Sequence, residues 1–260
     1  MTAMRLSVTV ITKDEERNLA RCLESVPFAD EIVVVDCGSA DRTVEIARRF
    51  TSRVIHHDWE GHVRQKQFAV DAAANDWILS LDADEVVSEP LRRLLEDLKT
   101  GRPDCDAYQV RRRVFYLGRW IDHSGWYPDK RIRLFDRRRA RWGGVDPHDE
   151  VVCEGRVGAL DGDLLHYSYR DLAHHLKQID SYTTIMAREY WSAGRRARLI
   201  DLALRPPFAF FKSFVLQAGF LDGWRGLVIA SLAGHYVLAK YAKLRELALP
   251  AADGDERNQM

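Results

Sequence analysis

Trp77-Ile-Leu-Ser-Leu-Asp82-Ala-Asp84-Glu85 is a short apolar strand that runs directly into carboxylates. Trp77, Ile78, Leu79 and Leu81 are the bulky and β-branched types that pack on a pleated surface. Asp82 and Asp84 stand two residues apart. In an extended chain that spacing directs both carboxylates to one side. Two hard oxygen ligands facing one way suit Mg²⁺ or Mn²⁺, and such an ion can hold a diphosphate. A bare Asp-x-Asp is also a common way to end a strand, so its meaning depends on the chain around it.

Upstream, the same pattern recurs. Leu6–Ile11, Glu31–Val35 and Arg53–His56 read as strands, and the Trp77 strand is the fourth. Helical spacing fills the gaps, over Glu15–Ser25, from Ser39 or Asp41 as cap to about Phe50, and from His62 to Ala74. Ser88 and Pro90 open a further helix. Alternating strands and helices at this spacing imply a parallel sheet with crossover helices, an α/β architecture. Ligands of such sheets bind at the carboxyl ends of the strands. Thr12-Lys-Asp-Glu15, Asp36-Cys-Gly-Ser39 and Asp82-Ala-Asp84 all fall at those ends. Three polar clusters in one register outweigh the reading of Asp82-Ala-Asp84 as an ordinary loop.

The 260-residue chain balances 39 Lys and Arg against 39 Asp and Glu, so no global field draws it to nucleic acid. Cys22, Cys37, Cys105 and Cys153 form no Cys-x-x-Cys pair and read as reduced thiols rather than a disulfide framework or zinc site. No basic-then-apolar leader precedes the first strand, so a cytoplasmic location is expected. Beyond Gly101 the strands at Tyr108–Val110, Arg131–Phe135 and Leu164–Tyr167 are separated by long loops. The segment 111–141 holds eleven Lys and Arg against three Asp and Glu, among Trp120, Trp126 and Tyr127. That mixture suits a phosphorylated or sugar-bearing ligand, or a solvated charged surface.

From Leu172 the chain is helical in spacing. Arg205-Pro-Pro207 is expected to break it, because proline removes an N–H and crowds the preceding turn. Phe208–Leu247 is apolar and aromatic, with Arg195, Arg196, Arg198, Arg205, Lys240, Lys243 and Arg245 around it. Lys212, Gln217, Asp222, Arg225 and His235 interrupt it too often for a span, which needs about 20 predominantly apolar residues. Residues 195–247 therefore read as peripheral contact with the inner face of the plasma membrane, or as a surface for the first domain or for a homodimer.

The combined residues resemble a known family. Val10-Ile-Thr-Lys-Asp-Glu-Glu-Arg-Asn-Leu19, Cys22-Leu-Glu-Ser25, Glu31–Thr43 and Leu81-Asp-Ala-Asp-Glu85 resemble the family 2 inverting glycosyltransferases of GT-A fold. Gly61–Ala69, Trp126-Tyr-Pro-Asp129, Arg131–Phe135 and His166-Tyr167 resemble the bacterial branch that includes lipopolysaccharide core glucosyltransferases. Gln67 departs from the Asn usual there. The resemblance implies a Rossmann-like GT-A domain over residues 1–170, with a nucleotide-sugar half to about 100 and an acceptor half beyond. C-terminal helices over 171–248 and a disordered tail over 249–260 follow.

It also implies site roles. Thr12, Lys13, Glu15, Asp36, Gly38, Ser39, Gln65, Lys66, Asp82 and Ala83 would line a nucleotide-diphosphate-sugar site, with UDP-sugar favoured. Asp84, Asp82 and His166 would hold the divalent cation, Mg²⁺ or Mn²⁺. The family's general base falls in Val145-Asp-Pro-His148-Asp149-Glu150, where Asp149 is the first choice and Glu150 the second. The acceptor would be a cell-envelope glycan or glycolipid. Competing readings are a phosphatase-type Asp-x-Asp, which normally follows the first strand rather than the fourth, and a nucleotidyltransferase, whose glycine-rich loop is missing. A catalytically inactive sugar-nucleotide-binding or membrane scaffold is a third.

Overall fold

The computed structural model describes residues 4–145 and 148–249. The chain divides into two compact units, Met1–Phe115 with Tyr127–Ser168, and Tyr116–Trp126 with Tyr169–Met260. The short segment Tyr116–Trp126 thus leaves the first unit and belongs with the C-terminal helices. Nothing in the apolar spacing signals this excursion.

In the first unit, β1 (Leu6–Thr12), β2 (Glu31–Asp36), β3 (Val54–His56) and β4 (Trp77–Asp82) form parallel pairs in the order β3-β2-β1-β4. Leu6, Val8, Val10, Val33, Val34 and Leu79 are fully buried, as expected for strands covered on both faces. The crossovers carry α1 (Leu19–Glu24), α2 (Thr43–Ala47) and α3 (His62–Ala72). Both α1 and α2 are shorter than their spacing predicts. Residues 15–18 form turns after Asp14, which sits at φ 53°, so helix α1 starts late.

Past β4 the chain turns at Ala83-Asp84 and enters a strand absent from the sequence reading, β5 (Glu85–Val87). Helix α4 (Glu89–Thr100) begins at Ser88, whose side chain accepts from the Leu91 N–H, with Pro90 in the first turn. The sheet then continues through β8 (Asp129–Asp136), β6 (Ala107–Tyr116), β11 (Val157–His166) and β5. β8 is antiparallel to both β4 and β6, β11 is parallel to β6, and β5 is antiparallel to β11. A separate hairpin pairs β9 (Ala140–Val145) with β10 (His148–Cys153). Because β2 and β4 flank β1, the direction of strand progression reverses there. The crevice at the carboxyl ends of β1 and β4 is where an open α/β sheet binds its ligand.

The second unit holds the short strand β7 (Arg119–Trp120) and helices α5 (Leu172–Ser192), α6 (Leu199–Phe211) and α7 (Trp224–Glu246). Helix α6 runs through Pro206 and Pro207, contrary to the expected break. Its backbone there passes close to α7 at Gly234, where a Cβ would stand 3.2 Å from the Pro206 carbonyl oxygen. Close packing against α7 thus supplies what the two missing N–H groups cannot. A π-helical turn (Lys212–Leu216) and a 3-10 turn (Gly219–Asp222) lead into α7. No helix among the described residues is long and apolar enough to cross a membrane. All four cysteines are free. The expected tail, apart from Leu249, lies outside the described residues.

Candidate active site

The ends of β1 and β2 are in register, Thr12 opposite Asp36, and the next strand over places Asp82 opposite Ile11. Asp36 is buried and folds its own loop. Its Oδ2 accepts from the backbone N–H groups of Gly38 (2.9 Å) and Ser39 (3.0 Å), and the Ser39 hydroxyl donates to Oδ1. Gly38, at φ +87°, makes that turn possible. The loop after β1 locks onto it. Asp14 N–H donates to Ser39 Oγ (2.9 Å), and Glu15 N–H donates to Thr43 Oγ1 (2.8 Å). Lys13 is exposed, whereas Thr12 is buried with its hydroxyl lacking any partner.

Helix α3 brings Lys66 to the same crevice. Gln65, Lys66, Ala69 and Val70 form its buried face. The adjacent Gln65 does not accompany Lys66. It is fully buried and pairs with His57, through Nδ1 at 2.9 Å and the carbonyl at 3.2 Å. Gln67 holds the hairpin, accepting from the Trp142 N–H at 2.9 Å.

Lys66 Nζ bridges two carboxylates, Asp82 Oδ1 at 2.8 Å and Asp149 Oδ2 at 2.7 Å, and lies 4.6 Å from the Trp142 ring centre. Arg133, on β8, completes the cluster. It donates to Asp82 Oδ2 at 2.8 Å and to Glu85 Oε1 at 2.7 Å. Glu85 is wholly buried, and Arg112 approaches it to 3.8 Å. Burial alone would raise the Asp82 pKa, but the charges of Lys66 and Arg133 reverse this and hold the carboxyl well below the usual range. Arg133 is opposed by burial in the same way, and Glu85 and Asp82 push its pKa up. Burial, then the charges of Glu85, Asp84 and Asp82, raise the nearby Cys22 thiol well above its ordinary value, so it stays a thiol.

Asp84 goes elsewhere. The turn at 83–84 breaks the extended geometry that would have aligned it with Asp82. Asp84 Oδ2 instead lies 3.1 Å from His166 Nε2, and Ser168 Oγ lies 2.7 Å from the other ring nitrogen. The Asp84 carbonyl accepts from Tyr167 N–H at 3.0 Å. Among the described residues no three His, Cys, Asp or Glu side chains converge on one point as a metal cluster would. The trio of Asp82, Asp84 and His166 is therefore split into a pair, Asp84 with His166, and a cation-bound Asp82. Ala83 is buried between them.

On β10, consecutive residues face opposite sides. Asp149 turns to Lys66, and Glu150 is exposed. Asp146 and Pro147 of the same run lie outside the described residues.

Sequence reasoning missed Glu85, Arg112, Arg133 and Trp142. The basic segment offered the only signal, and its arginines are mostly spent on neighbouring acids. Arg111 pairs with Asp161 and Asp163, Arg112 and Arg131 with Asp129, and Arg138 with Asp136 and Asp76. Much of that segment's charge is thus taken up by nearby acids, across strands for Arg111 and Arg112 and by residues two positions away for Arg131 and Arg138.

Comparison with known proteins places this geometry. Residues 7–154 match the profile of Glycosyl transferase family 2. An uncharacterized glycosyltransferase of Rickettsia typhi is 31% identical over 94% of this chain and 88% of its own length. A lipopolysaccharide core biosynthesis glycosyltransferase of Rhizobium meliloti is 29% identical over 91% of this chain and 93% of its own. Among solved structures, a mannosyltransferase of Pyrobaculum calidifontis, in complex with GDP-Man and Mn²⁺, superposes with a TM-score of 0.54. It covers 94% of this chain and 88% of the other at 14% identity, which is a likeness of fold, the GT-A fold. The chain belongs to glycosyl transferase family 2 and is a glycosyltransferase.

Proposed function

We propose that the protein moves a sugar from a nucleoside-diphosphate sugar, UDP-linked by preference, to a hydroxyl of a cell-envelope glycan or glycolipid, with inversion at the anomeric carbon. The observation that carries this reading is the bridge from Lys66 to both Asp82 and Asp149. It ties the end of β4, where the donor would lie, to a carboxylate on a different element. The loops at Thr12–Glu15 and Asp36–Ser39 would take the nucleotide. Thr12 Oγ1, Arg133 Nε and Trp142 Nε1 are buried without partners, so polar valence remains for a ligand near this crevice.

A divalent cation fits Asp84 and His166. Their oxygen and nitrogen approach to 3.1 Å, and Ser168 Oγ lies against the same imidazole, 2.7 Å from Nδ1 and 2.9 Å from Nε2. Mg²⁺ or Mn²⁺ keeps water and phosphate oxygens in its remaining positions, so two protein ligands suffice. When bound, such an ion supplies charge neutralisation to the departing diphosphate. The chain's own residues do the rest. Asp82, fixed by Lys66 and Arg133, would orient the donor sugar. Lys66 holds Asp149 Oδ2 and leaves Oδ1 to accept the proton of the attacking hydroxyl as the new C–O bond forms and the bond to diphosphate breaks.

The acceptor class rests on the lipopolysaccharide core relative. It agrees with exposed apolar residues over 199–247, which we assign to peripheral contact with the inner face of the cytoplasmic membrane. The test is a panel of nucleotide sugars, scored by thermal stabilisation and by turnover, with Mn²⁺ and with chelator. A UDP-sugar should stabilise the protein only with metal, and the product should carry the inverted anomer. Metal-independent transfer, or a retained anomer, would remove this mechanism. Asp84→Ala should lose the metal-dependent stabilisation along with turnover.

A further inference from the structure

The second unit contains a cavity of about 490 Å³ at the end of α5, the start of α6 and the last turns of α7. Its lining is cationic. Arg195, Arg196, Arg198 and Arg205 face it, against a single carboxylate among the described residues, Asp201. Asp201 is already committed. Its Oδ2 accepts from the Arg198 N–H at 2.9 Å, and its Oδ1 pairs with Arg205 at 2.5 Å. Arg195, Arg196 and Arg198 make no ion pair among the described residues.

Two aromatic rings hold these groups in place. Arg195 lies 4.6 Å from the Tyr190 ring centre and Arg205 lies 5.1 Å from that of Tyr241. Lys240 stands over the same two rings, at 5.0 Å and 5.2 Å. Stacking of this kind orients a guanidinium while leaving its edge N–H groups for an anion. Unlike a cavity for an apolar ligand, this one gathers permanent positive charge that, among the described residues, only Asp201 offsets.

The mouth opens onto an apolar stripe. Ile200, which lines the cavity, is 59% exposed, and Leu204, Phe208, Phe211 and Val215 follow at helical spacing, all exposed. The stripe continues along α6 into the π-helical turn. An exposed apolar face with arginines at one end is the signature of a helix lying in a membrane interface.

We propose that this cavity binds the phosphate group of an anionic phospholipid, with the α6 stripe seated among the acyl chains beside it. The proposal rests on the membrane-contact reading above and deepens it by naming the lipid chemistry and its site. No residue of the cavity belongs to the Asp82 cluster, so lipid binding and turnover can be perturbed separately.

The experiment is cosedimentation of the full chain with phosphatidylcholine vesicles, with and without phosphatidylglycerol. Three proteins are compared at low salt: wild type, Arg195→Gln/Arg198→Gln, and Lys177→Gln/Arg188→Gln. The last pair removes the same charge from exposed positions on α5 outside the cavity. Wild type should bind anionic vesicles and ignore neutral ones. A basic residue at an anionic surface contributes about fivefold to partitioning, so the cavity pair should weaken binding by about 30-fold, with an unchanged melting temperature. The control pair should lose clearly less. Equal losses from the two pairs would overturn the cavity assignment while leaving membrane contact standing. Failure of wild type to bind either vesicle would overturn both. Stabilisation by free inorganic phosphate without vesicle binding would also overturn the proposal, because the ligand would then be a soluble phosphate.

Discussion

Lys66, Arg112 and Arg133 in the first unit each have a carboxylate within 4 Å, and most of the group is buried. Arg195, Arg196 and Arg198 in the second unit have none among the described residues and are exposed. The first arrangement is closed. Its charges are desolvated and satisfy one another, so they define positions to within a hydrogen bond. The second is open, the guanidinium groups of Arg195 and Arg196 held by aromatic rings and backbone carbonyls rather than by carboxylates. Paired buried charge is suited to orienting reacting groups, and unpaired exposed charge to capturing an anionic surface. Substitutions should therefore act on turnover and folding in the buried cluster, and on binding alone at the exposed arginines.

Asp149 offers the largest effect. A general base, the role proposed for it, contributes about 10²–10⁴-fold to rate. Asp149→Asn should lose that much kcat while still binding the nucleotide sugar, and Glu150→Gln should change kcat little. Steady-state kinetics and ligand-induced thermal shifts measure both. The reverse pattern would transfer the role to Glu150 and leave Asp149 as a structural partner of Lys66.

Glu85 tests whether the closed cluster holds the fold. Removing one partner of a buried ion pair costs about 3–5 kcal/mol, because the other charge stays buried. Arg133 cannot escape by deprotonating, since its acids hold its pKa up. Glu85→Gln should lower the unfolding free energy by about 3 kcal/mol in urea titrations, given that Asp82 remains to Arg133. A loss below about 1 kcal/mol would show that the cluster is not the rigid element inferred from its geometry.

The contrast also explains which parts were legible in the sequence. β1 to β4 are parallel and covered on both faces, so Glu31–Val35 reads as a near-continuous apolar run, and Leu6–Ile11 as a strand broken only by Ser7 and Thr9. Lys66 carried a signal too, because it shares a helix face with Ala69 and Val70 and must be buried with them. Gln65 lies on that face as well, and no spacing rule indicates that it turns to His57. Arg133 was opaque. Strict alternation would put Arg131 and Arg133 on one side of β8, yet one is exposed and the other buried. The register against β6 shifts between Ile132 and Leu134, so a bulge at Arg133 breaks the alternation, and no spacing rule reveals it. Glu85 was hidden by its position after two other acids, where a loop is the natural reading. Pro206 and Pro207 misled because helix α6, short of two N–H donors, also packs closely against α7.

A pH titration separates the two units without mutation. In the second, His175 is buried and shares a 2.8 Å hydrogen bond with the Tyr116 hydroxyl. Burial, reinforced by the neighbouring His174, lowers its pKa to about 4. The unfolded chain binds that proton near pH 6.5, so the native state loses ground as pH falls from there. The contribution is complete above about 6.5, declines toward 4 and changes no further below it. Its ceiling is about 3 kcal/mol from the size of the shift. In the first unit, the depressed Asp82 acts only lower, below the ordinary carboxylate value of 3.8. Melting temperature should therefore fall between pH 7 and 4.5, and His175→Gln should flatten that slope. An unchanged slope in the variant would mean that His175 is protonated in the native state and that Tyr116 accepts from it.

The smallest effect on stability should come from the apolar stripe of α6. Leu204 is 61% exposed and Phe208 60%, so each already meets solvent in the folded chain. Surface substitutions away from caps and buried networks stay within about 0.5 kcal/mol. Leu204→Ser/Phe208→Ser should unfold at nearly the wild-type urea concentration and turn over a soluble acceptor normally. Its binding to vesicles should nevertheless fall, because each apolar side chain withdrawn from water contributes about 1.5–3 kcal/mol. This loss should persist at high salt, whereas the loss from the arginine pair should shrink as screening removes the electrostatic share from wild type as well. If the double serine variant melts several degrees lower with unchanged vesicle binding, the stripe packs against protein in solution. The open character assigned to the second unit would then be confined to its arginines.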